Sequence, residues 1–175
     1  EEFLLSGPLE KTNEAYAIAK IAGIKLCNSF NKQFNVDFRC IMPCNLYGPG
    51  DNYDLEESHV IPALIRKFHL AKSDNKKFVK VWGTGKPKRE FLHVYDLADA
   101  CMKIRKLSKK KFKEIISPEG LINVGSGKEI SISELAQTIS NVVGFNGDIV
   151  FDKSMPDGTM RKVLDISKIN KTNWQ

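Results

Sequence analysis

Four short apolar runs set the terms for this chain: residues 37–42 (DFRCIM), 76–82 (KKFVKVW), 121–124 (LINV) and 148–152 (DIVFD). Each is too short for an ordinary helix and is bounded by turn-forming or polar residues, so each reads as a strand. Between them lie longer stretches with apolar residues three to four apart, the helical period. Strands alternating with helices predict an α/β protein with a largely parallel sheet, because parallel neighbours need a long crossover that a helix supplies.

The longest predicted helix runs from Thr12 or Asn13, either of which can cap it, to about Phe34, with Ala15, Ile18, Ala22, Leu26 and Phe30 in phase. A second covers about 59–71, with Pro62 near its first turn, where a missing N–H costs little. A third spans Asp96 to about Leu107. Ser131 with Glu134 forms a capping box for a fourth, which Gly144 ends. The segment from Asp165 onward reads as a short helix. Pro43 stops the first strand, and the stretch 44–58, rich in Gly, Pro, Asn and Asp, reads as a long loop of the kind that carries function. Gly83-Thr84-Gly85-Lys86-Pro87 and Pro156-Asp157-Gly158 read as turns.

A formal charge of +6 invites a nucleic-acid reading that its distribution weakens. Residues 103–113 (KIRKLSKKKFK) hold seven basic and no acidic residues, which leaves 20 basic against 21 acidic elsewhere. With Phe112 as its one aromatic, the strip offers little stacking surface for bases and reads as a solvated helix end and loop. Nucleic acid is not an expected partner. Cys27, Cys40, Cys44 and Cys101 form no C-x-x-C pair, so they read as reduced, buried packing residues in a cytoplasmic setting, with no metal site. No apolar run approaches the ~20 residues of a membrane span, and no membrane partner is expected. The first residues, Glu1-Glu2-Phe3-Leu4-Leu5, lack a Met and a basic leader region, so the chain is expected to be a piece of a longer one.

None of the twelve glycines forms G-x-G-x-x-G, since Gly48/Gly50, Gly83/Gly85 and Gly125/Gly127 all lack the third. A pyrophosphate loop, if a dinucleotide binds, is expected upstream of Glu1. Tyr16 and Lys20, four apart on the first helix, share one face. An ammonium beside a phenol favours the phenolate, so the pair can serve as an acid or base, although spacing alone fits an ordinary surface contact better. His59 by position alone is a helix-start residue that caps or contacts Asp51 or Asp54, and for Trp82 a core aromatic at a strand end is the lesser of two readings.

The order of these residues resembles the extended short-chain dehydrogenase/reductase family, in which a Tyr-x-x-x-Lys helix (Tyr16 to Lys20) precedes a Pro-x-Asn-x-Tyr-Gly-Pro stretch (Pro43 to Pro49). Further stretches are similar to the members that act on a GDP-linked 4-keto-6-deoxy sugar: Ser58-His59-Val60-Ile61-Pro62, Val81 to Val94, Ile122 to Gly127 and Pro156 to Thr159. The strip and its flank, 103–120, fall outside these stretches and read as an insertion. The resemblance implies the C-terminal part of a Rossmann-like fold, with residues 1–50 in the dinucleotide-binding domain. Residues 51–175 would form mainly a smaller α/β substrate domain, with some segments returning to the Rossmann sheet.

The implied activity is 3,5-epimerisation and NADPH-dependent 4-reduction of GDP-4-keto-6-deoxy-D-mannose. Tyr16 would donate the proton to the C4 oxygen, Lys20 would hold the nicotinamide ribose, and His59 would be the acid of epimerisation. Its partner cysteine base, and a serine that bonds the ketone, would lie before Glu1. Tyr16, Lys20, Pro43, Asn45, Leu46 and His59 would contact NADP(H); Lys67, Trp82, Arg89 and Asp157 would contact the GDP-sugar. Lys67 stands where the family often has arginine, so the planar fork for phosphate is lost there. A homodimer through the Tyr16 helix is also implied. Two other readings are an epimerase or dehydratase acting on a different nucleotide sugar, and a non-catalytic nucleotide- or RNA-binding module built on 103–113.

Overall fold

In the computed structural model, which describes residues 1–55 and 57–174, the chain passes from one compact unit to another between Cys44 and Asn45. The first unit comprises Glu1–Cys44, Tyr95–Ser126 and Leu164–Gln175; the second comprises Asn45–Val94 and Gly127–Val163.

The first unit begins with α1 (Glu14–Phe34), preceded by a short 3-10 turn at Lys11–Asn13 and ended by Asn35 in the left-handed conformation. Strand β1 (Cys40–Pro43) pairs in parallel with β5 (Leu121–Val124), every residue of which is buried. Two helices connect into β5, α3 (Val94–Lys106) and α4 (Lys109–Ile115), and α6 (Ser167–Asn170) follows the last crossing of the chain. Arg39 braces the α3–α4 elbow. Its guanidinium donates to the carbonyls of Ile104 and, at 2.9 Å, Leu107, pairs with Asp37 at 2.7 Å, and lies 4.7 Å from the Phe112 ring centroid. Carbonyls left open where α3 ends are thereby satisfied. No residue of α1 is buried, and Tyr16, Ile18, Leu26, Phe30 and Phe34 are exposed.

The second unit holds β2 (Asn45–Tyr47), α2 (Val60–Ser73), β3 (Phe78–Trp82), β4 (Lys88–His93), β6 (Glu129–Ser131), α5 (Ile132–Val143), β7 (Asp148–Asp152) and β8 (Arg161–Lys162). Strand β4 is its hub, parallel to β2 and β8 and antiparallel to β6, while β3 pairs in parallel with β7. The core lies where α2 and α5 meet β3: Ile61, Leu64, Phe68 and Ala71 pack with Val79, Val81, Leu135, Ala136, Ile139 and Phe145. Helix α5 starts in a complete capping box, Ser131 with Glu134, and stops at Gly144 with φ +74°.

Several expectations need correction. Asn45 and Leu46 belong to a strand instead of a loop, because β4 offers their main chain a parallel ladder. Residues 109–115 form a second helix where a loop was expected; Ser108 accepts from the Lys111 amide at 3.2 Å as its cap, and Phe112 and Ile115 bury one face. Strands β6 and β8 were too short to show an alternation of their own. Glu56 and Gln175 lie outside the described residues.

The cysteines are free, as expected, yet half-buried where burial was expected. Burial, reinforced by the neighbouring Cys27 thiol, pushes the Cys40 thiol up to about 11. At pH 8 it should therefore hold at least roughly 100-fold less thiolate than an ordinary cysteine. A raised value also favours the protonated folded state, so its contribution to stability is complete below the ordinary cysteine range and is lost as pH rises toward about 11. Alkylation of Cys40 at pH 8, followed by mass spectrometry, should be slower than that of the unfolded chain by that order; equal rates would refute the shift.

Candidate functional site

Two groups of candidate residues are held separately, one in each unit. In the first, Tyr16 and Lys20 ride on α1, and the Lys20 ammonium sits 5.3 Å from the Tyr16 ring centroid. The helical spacing of four brings them onto one face. Tyr16 is 60% exposed, and Lys20 makes no ion pair among the described residues, so both heads are available to a ligand. Pro43 is the last residue of β1, opposite Val124, and the following amide, Cys44, donates to the Val124 carbonyl at 3.0 Å. A proline is tolerated there because the strand ends with it.

In the second unit, Asn45 opens β2 and its Nδ2 donates to the Glu90 carbonyl at 3.1 Å; Leu46 lies beside it, paired with Leu92. His59 occupies the N-cap position of α2 with extended backbone, but its side chain makes no capping bond. The imidazole is exposed and contacts neither Asp51 nor Asp54 by a hydrogen bond or ion pair, so the helix-start role read from position does not use the ring. His69 is exposed on the same helix, whereas His93 packs its ring edge-on to Tyr47 with centroids 5.2 Å apart.

Lys67 and Trp82 are brought together. Lys67 Nζ stands 5.1 Å from the indole centroid, and burial holds its ammonium below the usual lysine range. Trp82 ends β3 and is 52% exposed, which removes the core-aromatic reading and leaves a flat apolar surface open. Arg89 donates to the Lys88 carbonyl at 2.8 Å and has no carboxylate partner among the described residues. Its guanidinium thus keeps donors free for an anion.

Asp157 is engaged within the protein. Its two carboxylate oxygens are taken by Thr84, one by the amide at 2.6 Å and one by the hydroxyl at 2.8 Å. Gly83, at φ +78°, leaves the space that this carboxylate fills, since a Cβ there would fall on it. Asp157 is thus the fastener of the 83–87 turn that follows Trp82. Two residues the sequence reading missed are Thr84, the partner in that fastening, and Glu90, fully buried in β4. Glu90 shares its phase with Leu92 along the strand, so the period-2 pattern of Lys88–His93 carried the signal. No group of three or more His, Cys, Asp or Glu among the described residues could hold a metal ion, and no helix among them is long and apolar enough to cross a membrane.

A family model described as "NAD dependent epimerase/dehydratase family" matches residues 1–125. The chain is 54% identical over 175 residues to GDP-L-fucose synthase of Escherichia coli K12, covering 99% of this chain and 54% of that protein. It is likewise 54% identical to a probable GDP-L-fucose synthase of Oryza sativa, covering 100% of this chain and 51% of that one. Among solved structures, a GDP-L-fucose synthetase of Naegleria fowleri bound to NADP superposes with a TM-score of 0.86 at 33% identity, over 99% of this chain and 54% of that chain. The chain spans about half the length of the curated relatives it matches.

The Thr84 amide, followed by its hydroxyl, holds the Asp157 carboxyl below the usual carboxylate range. A lowered value means that the stabilisation is complete above the ordinary 3.8 and is lost as pH falls through the lowered one. Asp157→Ala should flatten the acid limb of the melting-temperature profile and alter Trp82 fluorescence at neutral pH. An unchanged acid limb would show that the Thr84 bonds contribute nothing.

Proposed function

Because the chain belongs to the NAD dependent epimerase/dehydratase family, we propose that it is the C-terminal part of an NADPH-dependent GDP-L-fucose synthase, which inverts C3 and C5 of GDP-4-keto-6-deoxy-D-mannose and reduces C4. The observation that carries the proposal is the Tyr16–Lys20 pair, an exposed phenol with an ammonium over its ring and no competing partner for either head among the described residues. An exposed phenol and an unpaired ammonium on one helix face fit a dinucleotide beside a keto sugar. When bound, NADPH supplies the electrons that reduce the C4 ketone.

Tyr16 gives its hydroxyl proton to the C4 oxygen as that oxygen gains charge, and Lys20 binds the nicotinamide ribose and orients the phenol. Pro43, Asn45 and Leu46 line the cofactor side. The protons at C3 and C5 are acidic because both carbons neighbour the C4 ketone. A base before Glu1 removes each one, and the uncapped His59 returns a proton on the opposite face; an imidazole suits that step near neutral pH. Trp82 gives the GDP-sugar an apolar wall, Arg89 and Lys67 take phosphate charge, and Asp157 supports the turn beside Trp82 near the GDP. The unburied α1, with Ile18, Leu26, Phe30 and Phe34 exposed, supports a homodimer through this helix. Four free thiols suit a cytoplasmic setting.

In the full-length enzyme, Tyr16→Phe should lower the rate of C4 reduction by ~10²–10⁴-fold while leaving GDP-sugar affinity nearly unchanged. Retention of more than about a third of turnover would remove Tyr16 from that role. His59→Gln should slow inversion far more than binding, so that reduction releases GDP-sugars other than GDP-L-fucose, as read by NMR of the products. Near wild-type production of GDP-L-fucose with no altered sugar would leave His59 a helix-start residue only.

A further inference from the structure

Among the described residues that are buried as a whole, Glu90 is the only acidic or basic one. It sits within β4, 0% exposed, in the same phase as Leu92. Burying a carboxyl is unfavourable unless its oxygens are bonded, and an apolar side chain of this size would fill the space at less cost. What the carboxyl adds is a fixed acceptor: Oε1 accepts from the Gly127 amide at 2.7 Å. The main chain of the same residue accepts from Asn45 Nδ2 at 3.1 Å. Asn45 is the first residue of the second unit after the chain first passes into it, and Gly127 is the first after the second passage. One residue of the hub strand therefore fastens both places where the chain enters this unit. Its neighbour Arg89 is held in register with Ile130 of β6 and Lys162 of β8.

We infer that Glu90 is a positioning residue for the nucleotide-sugar site, fixing Asn45 and Arg89 by clasping β4 to the Gly127 amide and to the Asn45 side chain. The inference rests on the GDP-sugar reading above for the identity of what binds. A Gln at this position keeps a carbonyl acceptor for the Gly127 amide, whereas a Met of similar length keeps the packing and loses the acceptor. In the full-length protein, Glu90→Met should weaken GDP binding, measured by calorimetry, about 10-fold, and Glu90→Gln should stay within about 3-fold of wild type. With the keto sugar as substrate, KM should rise more than kcat falls in Glu90→Met. A common drop in melting temperature with GDP affinity unchanged in both variants would overturn the inference and make Glu90 a packing residue. Should Glu90→Met fail to fold, wild-type hydrogen exchange decides: saturating GDP should slow exchange at the Gly127 amide at least about 10-fold, and an unchanged rate refutes the clasp. A wild-type protein that binds GDP without turning over the keto sugar counts against the functional reading and leaves the Glu90 comparison in force. One that does not bind GDP counts against both.

Discussion

The segment Cys40–Tyr47 runs in extended conformation through two parallel ladders in succession, and most of the architecture depends on that pairing. Its first half is matched to β5, its second to β4, and the change of partner occurs at Pro43 and Cys44. Buried main-chain donors and acceptors must be paired, and a parallel partner distant in sequence does this only if the intervening chain returns at the right place. Helix α2 lies on the return from β2 to β4, and α3 with α4 lie on the approach to β5. Pro43, Asn45 and Leu46, three of the proposed cofactor contacts, are therefore fixed by backbone ladders and not by a free loop.

Polar anchoring completes what the ladders begin. Arg39 closes the end of α3 and covers Phe112, so a lysine-rich stretch that repels itself still folds into an ordered elbow. Asp157 ties the 156–158 turn to Thr84 in the turn after β3, next to Trp82, which stands at the strand end with Lys67 over its ring. In each case a charged side chain spends its hydrogen-bonding capacity on structure, whereas Tyr16, Lys20, His59 and part of the Arg89 guanidinium are not engaged in this way among the described residues.

Much of this was legible in the sequence because the signals were local. The capping box at Ser131 and Glu134, the stop at Gly144, the long helix ending near Phe34 and the runs 121–124 and 148–152 are all specified by neighbouring residues. The helical period alone puts Tyr16 and Lys20 on one face, and the resemblance of the surrounding stretches gives them a role. What escaped the reading depended on distant partners. Residues 45–47 look like loop until β4 lies beside them, β6 and β8 are strands only by pairing with β4, and the commitment of Asp157 requires Thr84, 73 positions away. The half-buried state of the cysteines follows from the same cause, since exposure is a property of what packs around a residue and not of its own type.

The central claim, that these residues serve an enzyme which epimerises twice and then reduces, is tested most directly by stoichiometry. Full-length protein supplied with NADPH and GDP-4-keto-6-deoxy-D-mannose should consume one NADPH for each GDP-L-fucose formed, with the inverted C3 and C5 centres assigned by NMR. Consumption of NADPH with a product whose C3 and C5 centres are unchanged would contradict the account and reduce the protein to a C4 reductase in which His59 has no part.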